Sequence, residues 1–509
     1  MNRRASILKA KTETFDVCII GGGITGAGIL TKAVERGWKA ILIDKNDFAS
    51  GTSSRSSKMI HGGLRYLKLL QFGLVREALQ EREHLLLRYP HLVRPLPFVM
   101  PSYKSQFDLG LLSFVIRFYG KLAGKSILPK SKKLSPAEVE QHLPGFNQKN
   151  LKGGVLYWDG WTNDAMLTIH ALNDAANKGA TVLNYVEAKK FNEVGDSLAS
   201  LTCKDNIANE EIRISAKVFI NATGVWTDDV LKQTTGETKP VMKPSKGVHI
   251  VVSNKKVASD NVAIVESATT DKRYLYSFPW EHNLTVLGNT DTEYNGSADK
   301  IETTGEDVNY ILRAFNRSFP SANITKEDIV SVYAGLRPML DDESDKGTYS
   351  RSREYRIWWS NNRLLNIAGG KLTSFLSMGE RCMEVAEEKL GSSASAKQIV
   401  QPEALDMAKA LSDILREDSS LSKKLFEGLQ VTAADVVLHT RFLFAEKPED
   451  VLTRRTAVTY ALKNFNENAV RETARLMAKE LKKDDYWITE QVKDYYAHWK
   501  EYHPEFLTT

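Results

Sequence analysis

Gly21, Gly23 and Gly26 stand in GxGxxG spacing directly after the apolar run Phe15 to Ile20, and Asp44 follows Gly26 by 18 residues. Glycine at these positions permits a tight turn, lets a pyrophosphate approach the backbone, and lets a helix pack closely on a strand. A carboxylate ending the next strand accepts hydrogen bonds from ribose hydroxyls. This is the chemistry of dinucleotide binding. Just downstream, Gly51-Thr52-Ser53-Ser54-Arg55-Ser56-Ser57-Lys58 offers hydroxyl and backbone donors, with Thr52, Ser53 and Ser57 as candidate ligands. Those donors, together with a fingerprint so near the N-terminus, favour FAD over NAD. The ten histidines show no HExxH or comparable spacing, so no metal is expected.

Ser56-Ser57-Lys58-Met59-Ile60-His61-Gly62-Gly63-Leu64-Arg65-Tyr66-Leu67 resembles the signature of the FAD-dependent, quinone-linked glycerol-3-phosphate dehydrogenases. Asn221-Ala222-Thr223-Gly224-Val225-Trp226, Lys246 to Val251, Gly335-Leu336-Arg337-Pro338 with Asp341 to Ser344, Gly369-Gly370-Lys371-Leu372-Thr373 and Glu449 to Thr456 resemble its later blocks in order. One departure is that the family often carries Glu where Asp44 stands, so the acid here reaches a methylene less. The resemblance implies oxidation of sn-glycerol 3-phosphate to dihydroxyacetone phosphate by hydride transfer to FAD, with electrons passed to a membrane quinone. An oxygen-reducing, peroxide-forming oxidase is the alternative, and a FAD-retaining binding protein without chemistry is a remote one.

Such a reaction needs a cationic clamp for phosphate, an acceptor for the hydroxyl proton, and a carbinol C–H aimed at the flavin. On the resemblance, Arg65, Tyr66, Arg337, Arg353 and Lys371 are the substrate-binding candidates, and His249, Arg337 and Lys371 the catalytic ones. Each charge-assisted bond to phosphate is worth roughly 1.5–3 kcal/mol. His249 is the expected base because imidazole titrates near neutrality; His61 is its rival. Arg337 is expected to be oriented by Asp341, Asp342 and Glu343. His61, Gly62, Asn221, Ala222, Gly224, Gly370, Lys371, Leu372 and Thr373 join the fingerprint, Asp44 and the serine run as cofactor-binding candidates. Taken singly, any of these cations is equally a surface charge, and a histidine on a strand equally a structural one.

The elements that must position these groups are also legible. Phe15 to Ile20 and Lys39 to Ile43 read as strands flanking a helix, Phe72 to Leu87 as a helix, and Ala216 to Ile220 and Leu364 to Ala368 as buried strands ending on motif turns. Gly247 to Ser253, Tyr274 to Phe278 and Leu284 to Leu287 read as cap strands. Thr432 to Asp435 is a capping box, and Leu462 to Leu481 a long helical pattern. The expected architecture is α/β: a Rossmann-like FAD-binding domain, a mainly antiparallel β cap domain as in amino-acid-oxidase-like flavoproteins, and a C-terminal α-helical domain. Expected bounds are 1–88, 151–235 and 363–392 for the flavin-binding parts, 89–150 for a cap and membrane-contact segment, 236–362 for the substrate cap, and 393–509 for the helical domain.

Composition sets the remaining limits. The 509 residues are 42% apolar and 26% charged, ordinary globular usage. Three scattered cysteines suit a reducing compartment. The net charge of +6 is too small for coating nucleic acid, yet residues 104–133 hold seven basic side chains against Asp108 alone. On a helix there, Leu111, Val115, Phe118 and Leu122 share one face while Arg117 and Lys121 lie on another, the pattern of an interfacial helix seated on anionic lipid. Arg3-Arg4 hints at an export signal, but Lys9, Lys11 and Glu13 break any apolar stretch after it. The expected location is the cytoplasm, peripherally bound to the inner face of the cell membrane; the state of assembly is open, a homodimer included.

Overall fold

The computed structural model describes residues 3–507 except 69, 195–196, 236–238, 271–272, 342–353, 361–362 and 392–404. Thr14–Ile20 is central to the first sheet, hydrogen-bonded in parallel to Glu210–Asn221 and Ala40–Ile43. Leu364–Gly369 and Thr181–Leu183 extend the parallel array outward on either side. Such strands are buried on both faces, which is why they read as unbroken apolar runs. Val17 and Ile19 face a layer of helices Ile24–Glu35, Asp164–Asn177 and Phe375–Leu390. Cys18 and Ile20 face Phe191, Leu201 and Phe219, on and beneath the antiparallel strands Val186–Val194 and Ser197–Asp205. A Cβ on Gly28 would lie 2.2 Å from the Phe375 carbonyl oxygen, so two of these helices cross in backbone contact and only glycine fits.

The second sheet is mostly antiparallel. Its order is Thr292–Glu293, Ser245–Ser253, Leu284–Gly288, Tyr274–Trp280, Val262–Glu266, Val93–Ser102, Gly153–Thr162 and Met59–Ile60, with Ile329–Arg337 also paired to Ser245–Ser253. Helix Gly305–Ser318 seals its back through Val308, Ile311, Leu312 and Phe315. Met59–Ile60 and Gly153–Thr162 lie in ranges expected for the flavin-binding part, yet they belong to this sheet.

Helices Met407–Glu417, Ala433–Phe442, Glu467–Leu481 and Asp485–Tyr502 form the C-terminal part. Thr432 and Asp435 make the expected capping box. The expected helix from Leu462 begins later, where Asn466 caps Ala469 and leaves Leu462 to Phe465 outside it. Most of the expected linker after Gly391 lies outside the described residues. A buried ionic cluster fastens this part to the first sheet. Arg454 Nε and Arg455 Nη1 both donate to Asp47 Oδ2, at 2.5 and 2.6 Å, and Arg454 Nη2 reaches Asp450 at 2.6 Å.

His170 and His439 are buried where helix Asp164–Asn177 meets the C-terminal helices. Burial, aided by neighbouring His91 or Arg455, pushes them from 6.5 down to about 4 and about 3. Their folded-state affinity for protons is depressed, so the unfolded chain takes up protons first and stability falls as the pH drops below 6.5 toward 4. For His170 alone the loss approaches about 3 kcal/mol. We expect the apparent melting temperature of a His170→Gln variant to drop less between pH 6.5 and 4 than that of the parent. Parallel curves would show that His170 does not drive acid unfolding.

Candidate functional site

A cavity of about 620 Å³ runs between the two sheets, within the range of cofactor and substrate sites. One end is built by the turn after Thr14–Ile20. Gly21 has φ +112°, and a Cβ there would lie 2.6 Å from the Ala222 carbonyl oxygen. At Gly26 a Cβ would lie 1.9 Å from the Gly21 oxygen, so Gly26 serves helix-on-turn packing and does not line the cavity. At Gly23 only Ser53 Oγ, at 3.2 Å, comes near, and this bare backbone opens helix Ile24–Glu35 to the cavity. A pyrophosphate fits there against the helix N-terminus. Asp44 follows Ala40–Ile43 and accepts from the Gly22 N–H at 2.7 Å and the Asn46 N–H at 2.8 Å. Burial outweighs these donors and pushes its carboxyl up to about 6.

The serine run lines the same wall but spends part of its hydrogen-bonding capacity internally. Ser53 Oγ accepts from the Ile24 N–H, and Thr52 Oγ1 donates to the Leu336 carbonyl at 2.7 Å. His61 lines the cavity; its N–H donates to Thr373 Oγ1 at 3.0 Å, tying the first motif to the last. Gly62 faces away from the cavity, toward Leu79, with its N–H on Tyr119 Oη, and Gly63 lines the cavity in its place. Asn221 is also set back. Its amide donates to Thr227 O and Asn366 Oδ1 and its Oδ1 accepts from Thr223, so it braces the turn that brings Ala222 and Gly224 to the wall. Gly370, Lys371, Leu372 and Thr373 all reach the cavity.

Arg337, His249, Lys371 and Tyr66 line the same cavity. Arg337 ends strand Ile329–Arg337 and is oriented by Asp291 Oδ1 at 3.2 Å, Ser245 Oγ at 3.3 Å and the Thr290 carbonyl at 2.9 Å. Of the acids expected to orient it, Asp342 and Glu343 lie outside the described residues. A Cβ at Gly247 would lie 2.5 Å from Arg337 Nη2, so this glycine makes room for the guanidinium. Lys371 Nζ sits 3.7 Å from the centre of the Tyr66 ring, a cation–π contact. His249, on strand Ser245–Ser253, is 2% exposed and stacks on Tyr333 with ring centres 4.6 Å apart. Burial, with the charges of Arg337 and Lys58, holds its imidazole well below the usual range and so neutral. Arg353 and the side chain of Arg65 lie outside the described residues.

Sequence reasoning missed several lining residues. Arg273 donates to the Asp291 carbonyl and lies 3.9 Å from its carboxylate, so Asp291 stands between two guanidiniums. Asn289 donates to Ser57 Oγ at 3.1 Å. Arg55 lines the wall within the serine run already singled out, and its neighbourhood in sequence was the available signal. Among the described residues no group of His, Cys, Asp or Glu could hold a metal ion.

The chain matches the FAD dependent oxidoreductase family over residues 16–373. It is 33% identical to the mitochondrial glycerol-3-phosphate dehydrogenase of Bos taurus, over 95% of this chain and 73% of that one. It is 38% identical to the aerobic glycerol-3-phosphate dehydrogenase of Staphylococcus aureus strain MRSA252, over 75% and 68%. The solved glycerol-3-phosphate dehydrogenase of Bacillus halodurans complexed with FAD superposes with a TM-score of 0.75 at 26% identity, covering 98% of this chain and 97% of that one. With the glycine turn, Asp44 and the Gly370–Thr373 turn around one cavity, the chain is a FAD-dependent oxidoreductase, and it belongs to the glycerol-3-phosphate dehydrogenases of the aerobic and mitochondrial type.

Proposed function

We propose that this chain oxidises sn-glycerol 3-phosphate to dihydroxyacetone phosphate and passes the electrons to a membrane quinone. The observation that carries the reading is one cavity lined both by a dinucleotide cradle and by two cations, a phenol and a buried imidazole. Gly21, Gly23, Asp44, Ala222, Gly224 and Gly370 to Thr373 hold FAD, with Gly26, Gly62 and Asn221 supporting that wall from behind. Bound FAD supplies the hydride acceptor. Arg337 and Lys371 grip the phosphate, joined on motif grounds by Arg65 and Arg353, and Tyr66 holds Lys371 in place. His249, kept neutral, is able to take the hydroxyl proton. A dianion arriving at Arg337 cancels one of the two charges that depress this imidazole, so substrate binding itself makes the base stronger.

The acceptor side rests on helix Gln106–Leu122. Phe107, Leu111, Phe114 and Phe118 are 80%, 53%, 67% and 39% exposed, forming an outward apolar stripe edged by exposed Arg117, Lys121, Lys125 and Lys130. The stripe is rotated from the expected face: Val115 and Leu122 are half-buried, while Leu109, Ser113, Ile116 and Tyr119 face the core. Phe72 extends it, its ring 5.9 Å from that of Phe118. Among the described residues no helix is long and apolar enough to cross a membrane. Shallow insertion of this stripe into an anionic leaflet, at a basic gain of about 1 kcal/mol per surface cation, supports peripheral binding beside a quinone pool.

The deciding experiment is anaerobic reduction of the bound flavin by glycerol 3-phosphate, followed by a quinone analogue or oxygen. We expect fast reduction, fast reoxidation by quinone and slow reoxidation by oxygen; the reverse order identifies an oxidase. Arg337→Ala should lower kcat/KM at least thirtyfold, as expected for about 2 kcal/mol lost from a buried phosphate contact, and an unchanged value removes Arg337 from the site. FAD affinity of the apoprotein should weaken as the pH falls through about 6, where Asp44 gains a proton and loses acceptor capacity. Titration of Asp44→Asn should show no such dependence. On anionic vesicles the parent should co-sediment at low salt and a Phe107→Asp, Phe114→Asp variant should stay in solution; equal pelleting dismisses the stripe as the lipid contact.

A further inference from the structure

His249 reaches the cavity only in a restricted way. Its Nδ1 is buried with no hydrogen-bond partner among the described residues, so that nitrogen has no access to a substrate. Its Nε2 is 3.0 Å from Ser57 Oγ, and Ser57 lines the cavity. Asn289 Nδ2 donates to the same Oγ at 3.1 Å and fixes the hydroxyl beside the ring. The segment carrying Ser57 is itself held from below. Ser56 donates through both its N–H and its hydroxyl to Asp164 Oδ2, and Lys58 Nζ pairs with Asp164 Oδ1 at 2.6 Å, both ends of that pair buried. Tyr333, stacked on the imidazole, donates its hydroxyl to the Ser56 carbonyl at 3.1 Å. Four contacts on the flanking residues therefore serve one placement, that of the Ser57 hydroxyl between imidazole and cavity.

We propose that Ser57 is a catalytic residue through which His249 takes the substrate's proton. The proposal rests on the reading of His249 as the base and goes beyond it, because it moves the group that touches substrate from the imidazole to the serine. The relay works from the tautomer protonated on Nδ1. As the alcohol becomes a ketone, its O–H bond breaks and the proton passes to Ser57 Oγ, while the proton already on Ser57 passes to His249 Nε2. The carbon-bound hydrogen leaves with its electron pair to the flavin acceptor named above, and one proton remains on the imidazole. Ser57 ends with the proton count it began with. On this proposal Ser57, expected from the sequence as a cofactor ligand, serves the substrate.

The test uses holoenzyme and anaerobic stopped-flow reduction of the flavin at saturating glycerol 3-phosphate. Ser57→Ala should retain the flavin spectrum and the substrate dissociation constant yet reduce about a hundredfold more slowly, the usual size of a lost proton-transfer group. His249→Gln should be slowed to a similar degree, and the double variant should be no slower than either single one, because the two act as one unit. A multiplicative loss in the double variant overturns the relay. So does a Ser57→Ala enzyme that reduces at the parental rate while His249→Gln is slow, which leaves His249 as a base acting alone. If His249→Gln also runs at the parental rate, the base assignment beneath the proposal fails. A Ser57→Ala protein isolated without flavin returns Ser57 to the cofactor and overturns the proposal too.

Discussion

Asp47 holds two fully buried guanidiniums, those of Arg454 and Arg455, and much of the molecule depends on that contact. Removing one partner from a buried ionic contact costs about 3–5 kcal/mol, because the charge left behind has no water to turn to. Asp450, Glu449 and the Tyr185 hydroxyl complete the cluster, so each charge meets an opposite one at close range. Asp47 lies three positions beyond Asp44. Next to it, Phe48 packs under the glycine turn, where a Cβ on Gly22 would lie 2.4 Å from its ring, and meets Phe444 edge-on. The wall that carries Asp44 is thus set from the opposite end of the chain. The Glu449 to Thr456 motif, recognisable in sequence but without an evident task, is the means by which the C-terminal helices shape the cofactor end.

Arg273 and Arg337 would repel one another in a low-dielectric cleft. Asp291, between Arg273 and Arg337, relieves this, and Lys371 lines the same cavity. The arrangement suits an anion arriving with two charges. Lys371 gains further support from the face of Tyr66, which stabilises a cation without neutralising it.

What sequence made legible was local. The strand, turn and helix around Gly21 to Gly26 form a contiguous pattern, and the motif turns at Ala222 and Gly370 sit at strand ends that periodicity locates well. Direction was harder: Gly62 and Asn221 lie beside the cavity, but spacing alone does not say which way a peptide or an amide points. The partners of Arg337 and Ser57 come from strand Ser245–Ser253 and from the connection Asn289 to Asp291, remote in sequence and brought together by sheet register, as when His249 pairs across from Gly288 and Tyr333. Helix Gln106–Leu122 misled for another reason. It is apolar around most of its circumference, and its inward face includes Tyr119 because that hydroxyl donates to Asp159 in the core.

The outward aromatics of that helix also bear on the molecule in water. Side chains of this size, clustered and uncovered, lower the free energy of contact between two copies as readily as that of contact with a bilayer. Colloidal behaviour and folding stability are therefore governed by different residues, and a variant with an unchanged melting temperature can still differ widely in solubility. Detergent added to this chain would act less as a denaturant than as a missing neighbour, taking up apolar surface that the fold leaves uncovered.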